Sequence, residues 1–186
     1  SRVDNLDGRL AKLSESARNQ DLPLNDTVRA TLRDHVSLIS QVKRGNAAET
    51  DYPFFEMIEL DERLSAKPLS YQQMISVAAG QQDLWLSLAL GRNRVSVRLR
   101  SPNAESIENS SGKPMPVLFL MHGAGGSENM FFETYGAGRA VEEGLKRGWL
   151  VVAPRQGFTG LGLNCEEMLQ SLETLFGVDR EQVFLV

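Results

Sequence analysis

Two runs in the chain contain no charged or amide side chain: Pro116-Val117-Leu118-Phe119-Leu120-Met121 and Trp149-Leu150-Val151-Val152-Ala153-Pro154. A strand with one wet face alternates apolar and polar residues. Unbroken apolar runs therefore predict strands covered on both faces, as in a parallel sheet. Parallel neighbours need a crossover between them. The intervening segment supplies one, because Tyr135 to Arg147 reads as a helix with Ala140, Val141 and Leu145 inward. A second crossover helix is capped by Asn164 and Glu167, carries Met168, Leu172, Leu175 and Phe176, and stops at Gly177. It leads to a third strand, Gln182 to Val186. Strands alternating with helices in this way predict an α/β layer architecture.

Upstream, Leu84, Leu86, Leu88 and Leu90 alternate with smaller or polar residues, and so do Val95, Val97 and Leu99. Gly91-Arg92-Asn93 between them predicts an antiparallel hairpin. The polar stretch Ser101 to Lys113 reads as a surface loop. The first eighty residues instead have helical periodicity. Leu6, Leu10, Leu13 and Ala17 form one stripe, and Val28, Leu32, Val36, Ile39 and Val42 form a second, capped by Asn25 or Asp26 and stopped by Lys43-Arg44-Gly45. A third helix is expected from Asp51, with Pro53 in its first turn and Phe54, Ile58 and Leu64 inward. A fourth starts with Ser70-x-x-Gln73 and stops at Gly80. The expected organisation is a helical extension over 1–80 and a mixed α/β unit over 81–186.

Composition excludes several classes of function. A formal net charge of −4 gives no electrostatic reason to expect nucleic acid or an anionic membrane surface. No apolar run approaches the ~20 residues that cross a bilayer. The single Cys165 rules out an internal disulfide. Two histidines and one cysteine, far apart, have no zinc spacing, and no cofactor is implied.

The chemistry-bearing motif is the turn after the first buried run, His122-Gly123-Ala124-Gly125-Gly126. Acyl transfer passes through a tetrahedral oxyanion, which is stabilised by backbone N–H groups already aimed at it. A turn at the end of a strand can present such amides only where side chains do not obstruct them. Ala124 and Gly125 are the expected donors. Met130, Phe131 and Phe132, just beyond, either line an acyl or alcohol pocket or pack the entry to a helix.

Three stretches, PVLFLMHGAGGSEN (116–129), GWLVVAPRQ (148–156) and VDREQVFLV (178–186), resemble the α/β-hydrolase superfamily, in particular esterases similar to polyhydroxybutyrate depolymerases and dienelactone hydrolases. The resemblance covers the region from 81 onward. It implies a partial α/β-hydrolase sheet in which 116–121 lies between 149–153 and 182–186. It also implies a small ester substrate, a secreted or periplasmic setting, and a structural role for His122 beneath the turn. In that family the nucleophile elbow, Gly-x-Ser-x-Gly, follows the strand matching 182–186, and the acid and catalytic histidine come later. The triad therefore falls outside these residues, and the 186-residue chain alone is expected to be inactive. The edge at 182–186 is expected to be covered by the missing C-terminal half or by a second copy. The alternative function is a non-catalytic binding or assembly module built on the same half-fold.

Competing readings of individual residues are weaker. His122 as a base conflicts with its structural role in the resembled family. His35 lies on the apolar stripe of its helix and reads as packed. Cys165, with no histidine near it in sequence, reads as a packing residue. Ser127 and Ser111 lack the elbow context, and Glu142-Glu143 and Glu166-Glu167 read as helix-surface charges. A dinucleotide site would use Gly123 and Gly125, with Arg155 on a 2′-phosphate, but Glu128 stands where that fingerprint needs a small residue.

Overall fold

The computed structural model describes residues 5–22, 24–48, 50–66, 83–102, 113–155 and 164–186. The chain divides into two compact units, Ser1–Pro68 and Leu69–Val186. The expected fourth helix, the expected boundary near residue 80 and most of the 101–113 loop lie outside the described residues.

The first unit contains α1 (Leu6–Arg18), α2 (Asp26–Lys43) and α3 (Phe54–Ala66). Asn25 caps α2, its side-chain oxygen accepting from the Val28 amide at 2.8 Å. Pro53 sits just outside α3 rather than in its first turn, and its carbonyl accepts from the Met57 amide. The inward residues are Leu10, Leu13, Ala17, Leu32, Ile39, Ile58, Leu60 and Leu64. On α2 the inner face is rotated from the expected stripe. Val36 and Val42 are only half-buried, and His35 is inside. The reason is polar: His35 Nδ1 lies 3.0 Å from Oδ1 of Asp61 on α3, which is fully buried, so each satisfies the other away from water. His35 is a packed histidine, as expected. Arg9 on α1 forks onto Glu62 on α3 at 2.7 and 2.8 Å, and this bonding holds the Glu62 carboxyl below the usual carboxylate range.

The second unit is a five-stranded sheet in the order β1-β2-β4-β3-β5. Its strands are β1 (Leu84–Leu90), β2 (Asn93–Arg100), β3 (Met115–Phe119), β4 (Leu150–Pro154) and β5 (Val178–Leu185). β1 and β2 form the expected hairpin, and β2 also pairs antiparallel with β4. β3 pairs parallel with both β4 and β5, so the third strand lies between the fourth and fifth as anticipated. The apolar run outlasts the regular strand: the Leu120 amide bonds to Val152 O and the Met121 amide to Val186 O. β5 starts at Val178, four residues earlier than expected, because Val178 already pairs with Met115 across an irregularity in register.

Among the described residues of this unit the α-helices are α4 (Met130–Glu133), α5 (Arg139–Lys146) and α6 (Cys165–Phe176). The helix expected from Tyr135 is regular only from Arg139, because Gly136, Ala137 and Gly138 have φ of 62°, 50° and 78°. Ala137 in that conformation is strained for a residue with a Cβ. At the start of α6, Asn164 accepts from the Glu167 amide, and Gly177 ends the helix in the left-handed conformation. Cys165 is exposed, so the packing role expected for it is not observed.

One face of the sheet carries a buried cluster of Leu118, Leu120, Val151 and Ala153, closed by Val141 of α5. Gly144 permits this closure. A Cβ there would stand 2.8 Å from Val151 Cγ2 and 3.0 Å from Leu118 Cδ2. Gly144→Ala is therefore expected to destabilise this unit by about 1–3 kcal/mol through overpacking. The urea midpoint should fall with little change in slope. An unchanged midpoint would show that α5 yields without cost.

Candidate active site

Strand β3 ends beneath the glycine turn, and the chain leaves the sheet at His122. The His122 ring is buried, with Nδ1 2.8 Å from the carbonyl oxygen of Gly123. A carbonyl only accepts, so Nδ1 carries the proton and donates. This bond ties the side chain to the backbone that follows it. The turn then closes on itself, the Gly126 amide donating to Gly123 O at 3.1 Å. Ala124 and Gly125 form the exposed crest. Their amides donate to no backbone carbonyl among the described residues.

Two glycines have separate physical reasons. Gly125 has φ of 79°, a conformation that side chains disfavour, with open space around its missing Cβ. Gly126 has an ordinary φ but no room. A Cβ there would lie 2.6 Å from Met130 Sδ and 2.8 and 2.9 Å from Nδ1 and Cβ of His122. Gly126 is what lets the turn close over the imidazole.

Downstream of the crest, Ser127, Glu128 and Asn129 are all buried, which is unusual for consecutive polar residues. Ser127 is a turn residue, as expected, its Oγ accepting from the Asn129 amide at 3.2 Å. Glu128 is 2% exposed, and one of its carboxylate oxygens accepts from Arg155 Nε at 2.6 Å, at the end of β4. The two residues that decide the dinucleotide reading are thus ion-paired with each other. Asn129 Oδ1 accepts from Arg98 Nη1 at 3.0 Å and from Trp85 Nε1 at 3.2 Å.

Phe131 and Phe132 pack against the Leu118–Ala153 cluster, and Phe131 meets Tyr135 edge-on with ring centroids 5.3 Å apart. These contacts show Phe131 and Phe132 packed at the helix entry, while Met130 Sδ lies over Gly126. Glu143 pairs with Lys146 and Arg147, and Glu166 with Arg180, so these acids act as helix-surface charges. Ser111 lies outside the described residues. Among the described residues no group of three metal-ligating side chains occurs, and no helix is long and apolar enough to cross a membrane.

Sequence reasoning missed the Arg98 cluster. The signal was present in the hairpin. A two-residue turn that sets Leu90 opposite Asn93 also sets Trp85 opposite Arg98, an aromatic–cation cross-strand pair.

No protein-family model and no curated protein matches the chain. Among solved structures it is similar to a ferulic acid esterase, with 19% identity and a TM-score of 0.41, over 55% of this chain and 47% of that one. It is also similar to an S-formylglutathione hydrolase from Staphylococcus aureus, with 18% identity and a TM-score of 0.39, over 56% and 47%. The chain spans about half the length of each.

The two glycines should respond differently to alanine. Gly126→Ala meets atoms of His122 and Met130 and should lower stability by about 1–3 kcal/mol. Gly125→Ala meets nothing and should cost only about 1 kcal/mol of backbone strain. Equilibrium unfolding of both variants checks this order, and an equal or reversed loss would contradict the geometry of the turn.

Proposed function

We propose that the chain supplies the oxyanion-stabilising half of a serine hydrolase acting on carboxylic esters. The observation that supports this reading is the turn at the end of β3, whose crest residues Ala124 and Gly125 are exposed and donate to no backbone carbonyl among the described residues, while the Gly126 amide closes the loop onto Gly123 O. Backbone N–H donors at a strand's C-terminal end are suited to an oxygen whose negative charge grows in the transition state. In this reading His122 is no base. Its Nδ1 proton bonds to Gly123 O, and the ring supports the turn from below. The serine nucleophile, its acid and its histidine come from polypeptide beyond Val186, where the resembled family carries them.

The same reading accounts for β5. Among the described strands it is an edge, and Phe184, Leu185 and Val186 are exposed, at 40%, 66% and 59%. Exposed apolar residues on an unpaired edge favour addition of another strand. We take that strand to come from the hydrolase's second half, with pairing to a second copy as the alternative.

The test is a comparison of turnover. Purified residues 1–186 should hydrolyse no simple aryl ester above background, since no nucleophile–base pair occurs among the described residues. Polypeptide continuing past Val186 should do so, and Gly125→Val should lower its kcat by about 10²-fold by turning the crest amides away. Robust hydrolysis by the 186-residue chain, or full turnover in the Gly125 variant, would sink the proposal.

A further inference from the structure

Arg98 is 6% exposed, in the middle of β2, on the sheet face that also carries Val151 and Ala153. Its guanidinium lies between two aromatic rings, 4.7 Å from the centroid of Trp85 and 4.5 Å from that of Phe132. Nη2 donates to Asp83 Oδ2 at 2.6 Å, and Nη1 donates to Asn129 Oδ1 at 3.0 Å and to a carboxylate oxygen of Glu133. Asn129, Phe132 and Glu133 are spaced i, i+3 and i+4, so one guanidinium grips one face of the helical turn that follows the glycine crest.

A charge in this position is costly even when paired. The fit is not ideal for stability either, because Arg98 Nε and Asn129 Nδ2 are buried without a hydrogen-bond partner among the described residues. What the arrangement achieves is placement. Ala153 is the register partner of Arg98, and the Leu120 amide bonds to the neighbouring Val152. Arg98 therefore stands level with the last residues before the turn and holds the first residues after it. Asn129 relays that hold: its carbonyl oxygen accepts from the Phe132 and Glu133 amides, and its own amide donates to Ser127 Oγ.

Building on the ester-hydrolase reading, we propose that Arg98 is a positioning residue for the oxyanion turn, acting through Asn129 to keep the Ala124 and Gly125 amides aligned without itself touching substrate. Hydrogen bonds to a developing charge depend steeply on donor direction, whereas ground-state binding of the ester does not. Loosening the clamp should therefore affect turnover more than substrate affinity.

Two variants test this in the full-length protein. Arg98→Lys keeps the charge but loses the planar fork, and Asn129→Ala cuts the relay without altering charge. Amide hydrogen exchange should speed up by about tenfold or more over residues 122–130 in both variants, with β4 still protected. kcat on an aryl ester should fall about 10- to 100-fold with KM within about twofold, and affinity for a boronic-acid mimic of the oxyanion should fall in step with kcat. A lower Tm with unchanged exchange in the turn would make Arg98 a merely structural residue and overturn the proposal. Faster exchange with undiminished kcat would overturn it as well. If the parent protein hydrolyses no ester, the hydrolase reading fails by itself, and the exchange measurement alone then decides whether Arg98 holds the turn.

Discussion

The parallel pairing of β3 on both of its edges is the constraint on which the second unit depends. With β4 on one side and β5 on the other, Val117, Leu118 and Phe119 of β3 are paired on both edges, and all three are buried. Such a strand has no polar exit along its length. Its backbone emerges only at its C-terminal end, where Met121 makes the last ladder bond, to Val186. The glycine turn lies at that point. Its crest, Ala124 and Gly125, is exposed.

The turn is held more firmly than a surface loop usually is. His122 bonds it from within, Glu128 pairs with Arg155 at the end of β4, and Asn129 is gripped by Trp85 and Arg98 from the hairpin. Anchors thus come from three strands besides β3, and two of them contain charges removed from water. Burying a carboxylate or a guanidinium costs several kcal/mol before its partner offsets that cost. Both charged anchors meet the segment that we propose receives the oxyanion. Preorganised donors give their full effect only when they need not reorient during the reaction, which in the proposed reading is what these anchors serve.

Much of this was legible in the amino acids, and the parts that were not have definite causes. Unbroken apolar runs gave β3 and β4, and alternation gave the hairpin, because strand burial acts directly on side-chain type. The strand order followed from resemblance rather than from periodicity. The helix expected from Tyr135 starts four residues late. Gly136 and Gly138 were visible, but Ala137 at positive φ follows from the closure of the whole turn and not from its own preference. On α2, His35 displaced Val36 from the inner face because its partner, Asp61, lies 26 residues away on another helix. Arg98 was hidden for a similar reason. It is a polar residue in an alternating strand, and its partners Asn129 and Glu133 lie 31 and 35 residues away. Long-range polar pairs escape local pattern reading because neither member reveals the other.

The central claim is that the crest of the β3 turn receives a negatively charged oxygen. A crystal structure of the polypeptide extending past Val186, with a boronic acid or phosphonate bound as a tetrahedral mimic, tests it most directly. The account places one oxygen of the mimic about 2.7–3.1 Å from the backbone nitrogens of Ala124 and Gly125. A mimic bound covalently to a serine, with its oxygens directed at other donors and the 123–126 turn empty, would contradict it.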